Sequence, residues 1–349
     1  MSSPIRAQLL GPLLKSVSRS FYLTLRILPA GMRDPVGLAY LLARAADTIA
    51  DTSLIPSEKR MELLLSLRSQ VNGIPDSAAL AVIGAEVASQ QTDSDEKVLL
   101  ESLGSAITQL ALFGESDREA VRDIVTTLTK GMEFDLHTFP DESSGRIAAL
   151  QEFSELDQYT YMVAGCVGEF WTKMTYTHVP GTFKDPQELV MNRGIRLGKA
   201  LQMTNVLRDC GKDLRIGRCY LPATMLARFD MTPQDLLSPD KSLHARPVLF
   251  ELVGKALDHF REGIEYTLSL PAFSIRLRLA CLWPIFIGLE TVALLVENDR
   301  WLDPVKASKV RRSDIYRILA LSVPSVACNT LIRMWGDRLI ARIEARMSG

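Results

Sequence analysis

The segment Pro35-Val-Gly-Leu-Ala-Tyr-Leu-Leu-Ala-Arg-Ala-Ala-Asp-Thr-Ile-Ala-Asp-Thr52 decides the fold class. Its apolar residues recur every three or four positions, the period of a helix with one buried face, and it holds no alternating β-branched run of the kind that makes a strand. The same period continues along the chain. It predicts helices over 5–15, 18–28, 34–52, 57–71, 78–90, 95–113, 117–137, 147–176, 185–213, 223–229, 246–268, 273–297, 312–322 and 324–347, so the expected fold is all-α. Turn chemistry separates them at Asn72-Gly73-Ile74-Pro75-Asp76, Val179-Pro180-Gly181 and Asp303-Pro304. None of these breaks is long enough for a linker, composition does not shift and no fixed-period repeat occurs. Residues 1–349 are therefore expected to form one domain.

With 47% apolar and 23% charged residues the chain can bury a large core, which excludes intrinsic disorder. Forty Lys and Arg against 41 Asp and Glu give a net charge of −1, with no long basic block. That disfavours nucleic-acid binding, whose affinity comes from clustered phosphate neutralisation. The cysteines Cys166, Cys210, Cys219, Cys281 and Cys328 are scattered, without C-x-x-C spacing, so neither a disulfide framework nor structural zinc is expected. The first residues lack a long apolar region leading to a cleavage site, and the cytoplasm is the expected compartment. The stretch Leu279 to Val296, with Glu290 as its one charge, is shorter than the ~20 residues of a membrane span and would place a carboxylate in the bilayer. A buried core helix is expected there.

Two constellations carry chemistry. Asp47 and Asp51, four apart, share one helix face, with Arg44 a turn earlier and Tyr40 a further turn back. Asn205, Asp209 and Asp213 form a second row at i, i+4 and i+8, preceded by Gln202 and flanked by Arg208 and Lys212. Such rows are either the solvated side of an amphipathic helix or a cation site. Oxygen donors without His or Cys select a hard cation, and Mg²⁺ is the natural choice where phosphate completes its octahedron. Two acidic helices face to face would hold a Mg²⁺-bridged diphosphate. Competing signatures are missing: there is no H-E-x-x-H or G-x-S-x-G, and no Gly-rich dinucleotide fingerprint after a strand. Gly194 to Lys199 supplies only G-x-x-x-G-K followed by Ala200, not a P-loop.

Taken together the motifs resemble the squalene/phytoene synthase family, the head-to-head isoprenyl diphosphate synthases, over nearly the whole chain and in order. Ser18-Arg19-Ser20-Phe21 with Leu28-Pro29 resembles the family's opening, and Tyr40…Arg44-x-x-Asp47-x-x-x-Asp51 its first aspartate-rich helix. Gly131-Met132-Glu133-Phe134-Asp135 and Tyr159-Thr160-Tyr161-Met162-Val163-Ala164-Gly165-Cys166-Val167-Gly168 resemble the central helices. Gln202 to Pro222, QMTNVLRDCGKDLRIGRCYLP, resembles the second aspartate-rich signature almost position for position. Lys212 departs from it where an acidic residue is common, and Thr160 replaces the usual Cys.

The resemblance implies one all-α isoprenoid synthase domain around an apolar cavity, with Mg²⁺ held by Asp47, Asp51, Asn205, Asp209, Asp213 and substrate diphosphate. Arg44, Asp47 and Asp51 are then catalytic. Ser18, Ser20, Phe21, Tyr40, Arg44, Gln202, Asn205, Arg208, Arg218 and Tyr220 contact substrate. Tyr161 and Tyr159 steer proton loss or stabilise a carbocation, with packing the alternative for Tyr159. Leu279 to Thr291 and the loop Pro304 to Arg311 resemble the squalene-forming members, whose basic loop would receive NADPH through Lys306, Lys309 and Arg311.

The implied reaction joins two farnesyl diphosphates through presqualene diphosphate and reduces the product to squalene. A phytoene- or dehydrosqualene-type synthase without reduction, or a presqualene diphosphate synthase, is the alternative. A non-catalytic helical interaction protein is a third, separable by Mg²⁺-dependent binding of a farnesyl diphosphate analogue. Chain-extending prenyltransferases are expected to carry D-D-x-x-D, whereas Thr48 stands here. The resemblance is to the soluble bacterial form without a C-terminal anchor, with transient membrane contact for lipidic substrate and product.

Overall fold

A computed structural model describes residues 4–18 and 21–348, which are predominantly helical with two two-residue strands among the described residues. The chain divides into two compact units, one of Met1–His137 with Lys173–Val179 and the other of Thr138–Thr172 with Pro180–Gly349.

The first unit contains α1 (Pro4–Gln8), α2 (Leu14–Ser18), α3 (Phe21–Ile27), α4 (Ala30–Asp51), α5 (Ser57–Asn72), α6 (Ser77–Ala88), α7 (Ser94–Glu101), α8 (Leu103–Ala111) and most of α9 (Glu115–Thr138). Leu38, Leu41, Leu42, Ala45 and Ile49 on α4 are fully buried, and α4 packs against α5 and α8, whose Leu64, Leu67, Leu103 and Ile107 are buried in turn. The 3.6-residue period of Pro35–Thr52 is thus the core stripe of this unit. Helix α4 starts at Ala30 rather than at 34 and carries Pro35 in its second turn. The missing Pro35 N–H deprives only the Gly31 carbonyl of a helical donor, a cost that packing of the long helix outweighs. The helix expected over 95–113 is broken at Ser102, where ψ falls to 2° and the hydroxyl donates to the Val98 carbonyl at 2.7 Å. Serine competes with the backbone in this way and favours such breaks.

The second unit holds β1 (Ala148–Ala149), α10 (Phe153–Thr160), the start of α11 (Cys166–His178), α12 (Gln187–Asp213), β2 (Arg218–Cys219), α13 (Ala223–Ala227), α14 (Arg246–Ser269), α15 (Ile275–Glu297), α16 (Arg312–Ser325) and α17 (Asn329–Ser348). The single helix expected over 147–176 is corrected here. Its first residues form β1, paired in parallel with β2 (Ala148 opposite Arg218, Ala149 opposite Cys219). Helix α10 begins only after a Glu152/Glu155 capping box, and a π-helical turn, Tyr161–Gly165, separates it from α11. The pairing partner lies some seventy positions away, so local periodicity carries no trace of it.

The motif Ala164-Gly165-Cys166-Val167-Gly168 acquires a physical reason from this packing. A Cβ at Gly168 would stand 1.9 Å from the Gly194 carbonyl oxygen, and one at Gly198 would stand 2.1 Å from the Ala164 carbonyl oxygen. Backbones of the π turn and of the start of α11 therefore touch that of α12, which only glycine allows. Helix α12 also packs on α14 and α15. Ile275–Glu297 is the one helix among the described residues long and apolar enough to cross a membrane, and 72% of its apolar stretch is buried inside the protein. Phe286, Leu289 and Val292 on it are fully buried, as in a core helix.

Candidate active site

In the first unit α4 sets Arg44, Asp47 and Asp51 along the wall of a cavity of about 260 Å³, which Thr48, Thr52, Gln91 and Glu96 also line. Glu96 comes from the first turn of α7, fixed there by Asp93, whose carboxylate accepts the backbone N–H groups of Asp95 (2.9 Å) and Glu96 (3.4 Å) as an N-cap. Arg44 bridges the two elements. Its guanidinium donates to Asp47 at 2.6 Å and to Glu96, while its buried Nε–H has no acceptor among the described residues. Burial alone would lower the Arg44 guanidinium, but the Asp47 and Glu96 carboxylates outweigh it and raise it above its ordinary value.

Asp47 keeps 42% of its side-chain surface exposed to this open cavity, yet protein atoms surround it on its other sides. Burial first, and then the Asp51 charge, push its carboxyl up to about 6 against the pull of Arg44, and Glu96 adds to the rise. Asp51 is exposed. Tyr40, one turn before Arg44, donates its hydroxyl to the Val17 carbonyl at 3.3 Å. Ser18 is buried and donates to the Leu14 carbonyl. Phe21 opens α3, and Ser20 lies outside the described residues.

In the second unit the last turns of α12 carry Gln202, Asn205, Arg208, Asp209 and Asp213. Asn205 is exposed and its amide reaches the Gln202 side chain at 3.5 Å, while Arg208 grips the neighbouring Asp209 with two N–H groups, one at 3.1 Å. Asp213 is half-buried at the helix end. The chain then turns at Gly217, whose φ of 85° lies in the left-handed region, and enters β2. A Cβ there would also stand 2.5 Å from the Arg146 carbonyl oxygen.

This turn sets Arg218 against Glu142 at 3.0 Å. Tyr220 follows, buried, stacked on Tyr159 with ring centroids 4.7 Å apart and accepting its hydroxyl hydrogen bond at 3.2 Å. Tyr161, on the π turn, donates to Glu169 at 2.7 Å, and burial together with that carboxylate raises its phenol to about 12. Lys199 on α12 holds Asp157, one turn before Tyr161, at 2.8 Å through both carboxylate oxygens. Lys306 and Lys309 are exposed on the loop before α16, and Arg311 donates to Asp314 at 2.9 Å.

Sequence reading missed three acidic partners: Glu96 to Arg44, Glu142 to Arg218 and Glu169 to Tyr161. Only Glu169 left a local signal, since it stands two turns after Tyr161 on the same run. Among the described residues no three His, Cys, Asp or Glu side chains converge tightly enough to hold a metal ion by themselves. The donor set nonetheless suits Mg²⁺. All candidate donors are oxygens, three carboxylates and one guanidinium are the charged groups lining the first cavity, and Mg²⁺ characteristically keeps water and phosphate in its shell rather than filling it with protein ligands.

Residues 14–314 match the model of the squalene/phytoene synthase family, and the chain belongs to that family. It is 27% identical to a bifunctional lycopene cyclase/phytoene synthase of Colletotrichum graminicola, over 73% of this chain and 41% of that protein. It is 26% identical to a squalene synthase of Solanum lycopersicum, over 82% of this chain and 64% of that protein. The chain thus spans less than two thirds of the length of these curated relatives. A solved structure described as TcSQS with a bound ligand superposes with a TM-score of 0.74 at 22% identity, covering 96% of this chain and 94% of that one, and it shares the all-α fold.

Proposed function

We propose that this member of the squalene/phytoene synthase family is an enzyme, a single isoprenoid synthase domain that joins two molecules of farnesyl diphosphate head to head through presqualene diphosphate and reduces the product to squalene with NADPH. The observation that carries the reading is Arg44. It spans two carboxylates at a cavity and keeps a buried Nε–H with no acceptor among the described residues, a donor suited to a diphosphate oxygen. Asp47 and Asp51 in the first unit, and Asn205, Asp209 and Asp213 in the second, are the proposed Mg²⁺ ligands. Bound Mg²⁺ supplies positive charge to the departing diphosphate. Arg44, Arg208 and Arg218 add fixed N–H donors where negative charge develops, which costs no reorganisation during reaction. The allylic carbocation of such a reaction would need apolar surroundings that exclude water.

Tyr161, kept protonated by burial and Glu169, presents a π face to the cation and a hydroxyl already hydrogen-bonded to a carboxylate. The exposed Lys306 and Lys309 fit the phosphate of NADPH, with Arg311 beside them. Likeness to a phytoene synthase favours a second reading in which condensation ends without reduction. Incubation with farnesyl diphosphate and Mg²⁺, with and without NADPH, separates the two. Squalene formed only with NADPH supports the first reading. Dehydrosqualene or phytoene despite ample NADPH supports the second, and no diphosphate release refutes both.

A further inference from the structure

On α16, Ile318 and Ser322 are one turn apart and buried, and the Trp283 indole of α15 donates to the Ser322 hydroxyl at 2.9 Å. The opposite face of the helix carries Tyr316, Ala320 and Val323, all exposed, Tyr316 by 68% and Val323 by 57%. At the end of this face the buried Arg278 guanidinium donates to the carbonyl oxygens of Leu270 (2.7 Å) and Val326 (2.8 Å) and to the Asn329 side chain (2.6 Å). These bonds tie the turn between α14 and α15 to the break between α16 and α17. Phe273, 84% exposed on the first turn, therefore stands at the same end of the second unit as Val323. Leu331, on the first turn of α17, is exposed there too.

The surroundings are basic. Arg276 is exposed one turn from Phe273, and α16 carries the exposed Arg312 and Arg317, the latter 3.7 Å from the helix's one acid, Asp314. Large apolar side chains exposed together at one end of a unit, as Phe273, Val323 and Leu331 are, mark an interaction site. A phenylalanine on a turn tip and a tyrosine with a wet hydroxyl suit the boundary between acyl chains and headgroups, and arginines suit anionic phosphates. A second copy of this chain fits poorly, because a two-fold contact brings like-charged rims together.

We infer that this end of the second unit docks on an anionic lipid bilayer. Phe273 and Val323 enter the acyl boundary, and Arg276, Arg312 and Arg317 meet the headgroups. The inference does not rest on the proposed reaction, and the exposed row of α16 lies beyond residues 14–314, by which the family is recognised.

The test is co-sedimentation of the full chain with phosphatidylcholine vesicles, with and without phosphatidylglycerol. Binding is expected to the anionic vesicles and to weaken as salt rises. Phe273→Ser with Val323→Ser should lower partitioning about a hundredfold, each apolar side chain accounting for about tenfold. Arg276→Gln, Arg312→Gln and Arg317→Gln combined should lower it by a similar factor and remove the salt dependence. Circular dichroism melts matching the wild type show that the variants fold. Equal binding to neutral vesicles, wild-type-like binding by both variants, or no binding to anionic vesicles at low salt overturns the inference. A concentration-dependent rise in mass that Phe273→Ser abolishes would assign the surface to a second copy instead and also overturn it.

Discussion

Replacing Asp47 by Asn removes a carboxylate that burial and its acidic neighbours disfavour, and the outcome follows from geometry. Asp51 lies one turn on and Glu96 faces the same cavity, against Arg44 alone. A carboxyl moved from 3.8 to about 6 in the folded state corresponds to ~3 kcal/mol of disfavoured charge at neutral pH. Its 42% exposure lets solvent screen roughly half of that, leaving ~1–2 kcal/mol.

Asparagine also deprives Arg44 of a charged acceptor while Glu96 remains, which takes back ~0.5 kcal/mol. The net expectation is a gain of about 1 kcal/mol in the absence of divalent cations, or about 2 °C in a protein of this size. The sign with pH is fixed by linkage. Because the folded pKa is raised, the wild type has no penalty below about pH 3.8, acquires it between there and about pH 6, and has it in full above. Melting temperatures of wild type and Asp47→Asn, measured by calorimetry with a chelator, should coincide near about pH 4 and separate near about pH 7.5. Turnover of farnesyl diphosphate should fall by ~10²–10³ in the same variant. A lower melting temperature for Asp47→Asn at neutral pH, or a gain that ignores pH, would refute the electrostatic account; undiminished turnover would refute the metal assignment.

Gly168→Ala and Gly198→Ala each push a methyl group into a backbone carbonyl and should destabilise by ~3 kcal/mol or more, read as a lower urea midpoint. If both variants melt like the wild type, the close approach of α12 to the π turn and the start of α11 is wrong. Glu169→Gln removes the carboxylate that holds the Tyr161 proton, so ultraviolet titration should show this phenol ionising at lower pH than its wild-type value of about 12; an unchanged titration would leave burial as the whole cause. Lys306→Ala with Lys309→Ala should raise the KM for NADPH at ~1.5–3 kcal/mol per lost charged contact and let presqualene diphosphate accumulate, with condensation itself nearly intact. An unchanged KM assigns the nucleotide elsewhere.

Much of the fold was legible because helix burial repeats within the segment itself. Leu38, Leu41, Leu42, Ala45 and Ile49 form the stripe that their spacing predicts, and all are buried. What spacing could not show is pairing at a distance. Ala148 and Ala149 have good helix propensity, yet their backbone pairs with Arg218 and Cys219, and tertiary context overrides so weak a prior. The motif around Gly165 and Gly168 was readable as letters but not as a cause. That cause lies in Gly194 and Gly198 of another helix, with which it shares a seam too narrow for any side chain.

The candidate site divides along the same line. A pair of aspartates one turn apart is ambiguous by spacing, since solvated faces and cation sites share it. The two differ in the group that approaches from outside the helix. At a solvated face the approaching residue is typically a lysine or arginine from a neighbouring turn, and the charges cancel. At Asp47 the residue arriving from α7 is Glu96, a third carboxylate, held in place by the Asp93 cap. Arg44 cannot balance all three, and burial, with the Asp51 and Glu96 charges added to it, raises the Asp47 carboxyl against the pull of Arg44. A row that attracts a further acid from another element, and keeps it, has the charge balance of a cation site rather than of a salt-bridged surface. At Asp209 the adjacent Arg208 satisfies the carboxylate locally, so the second row lacks this signature, and its metal role rests on family membership alone.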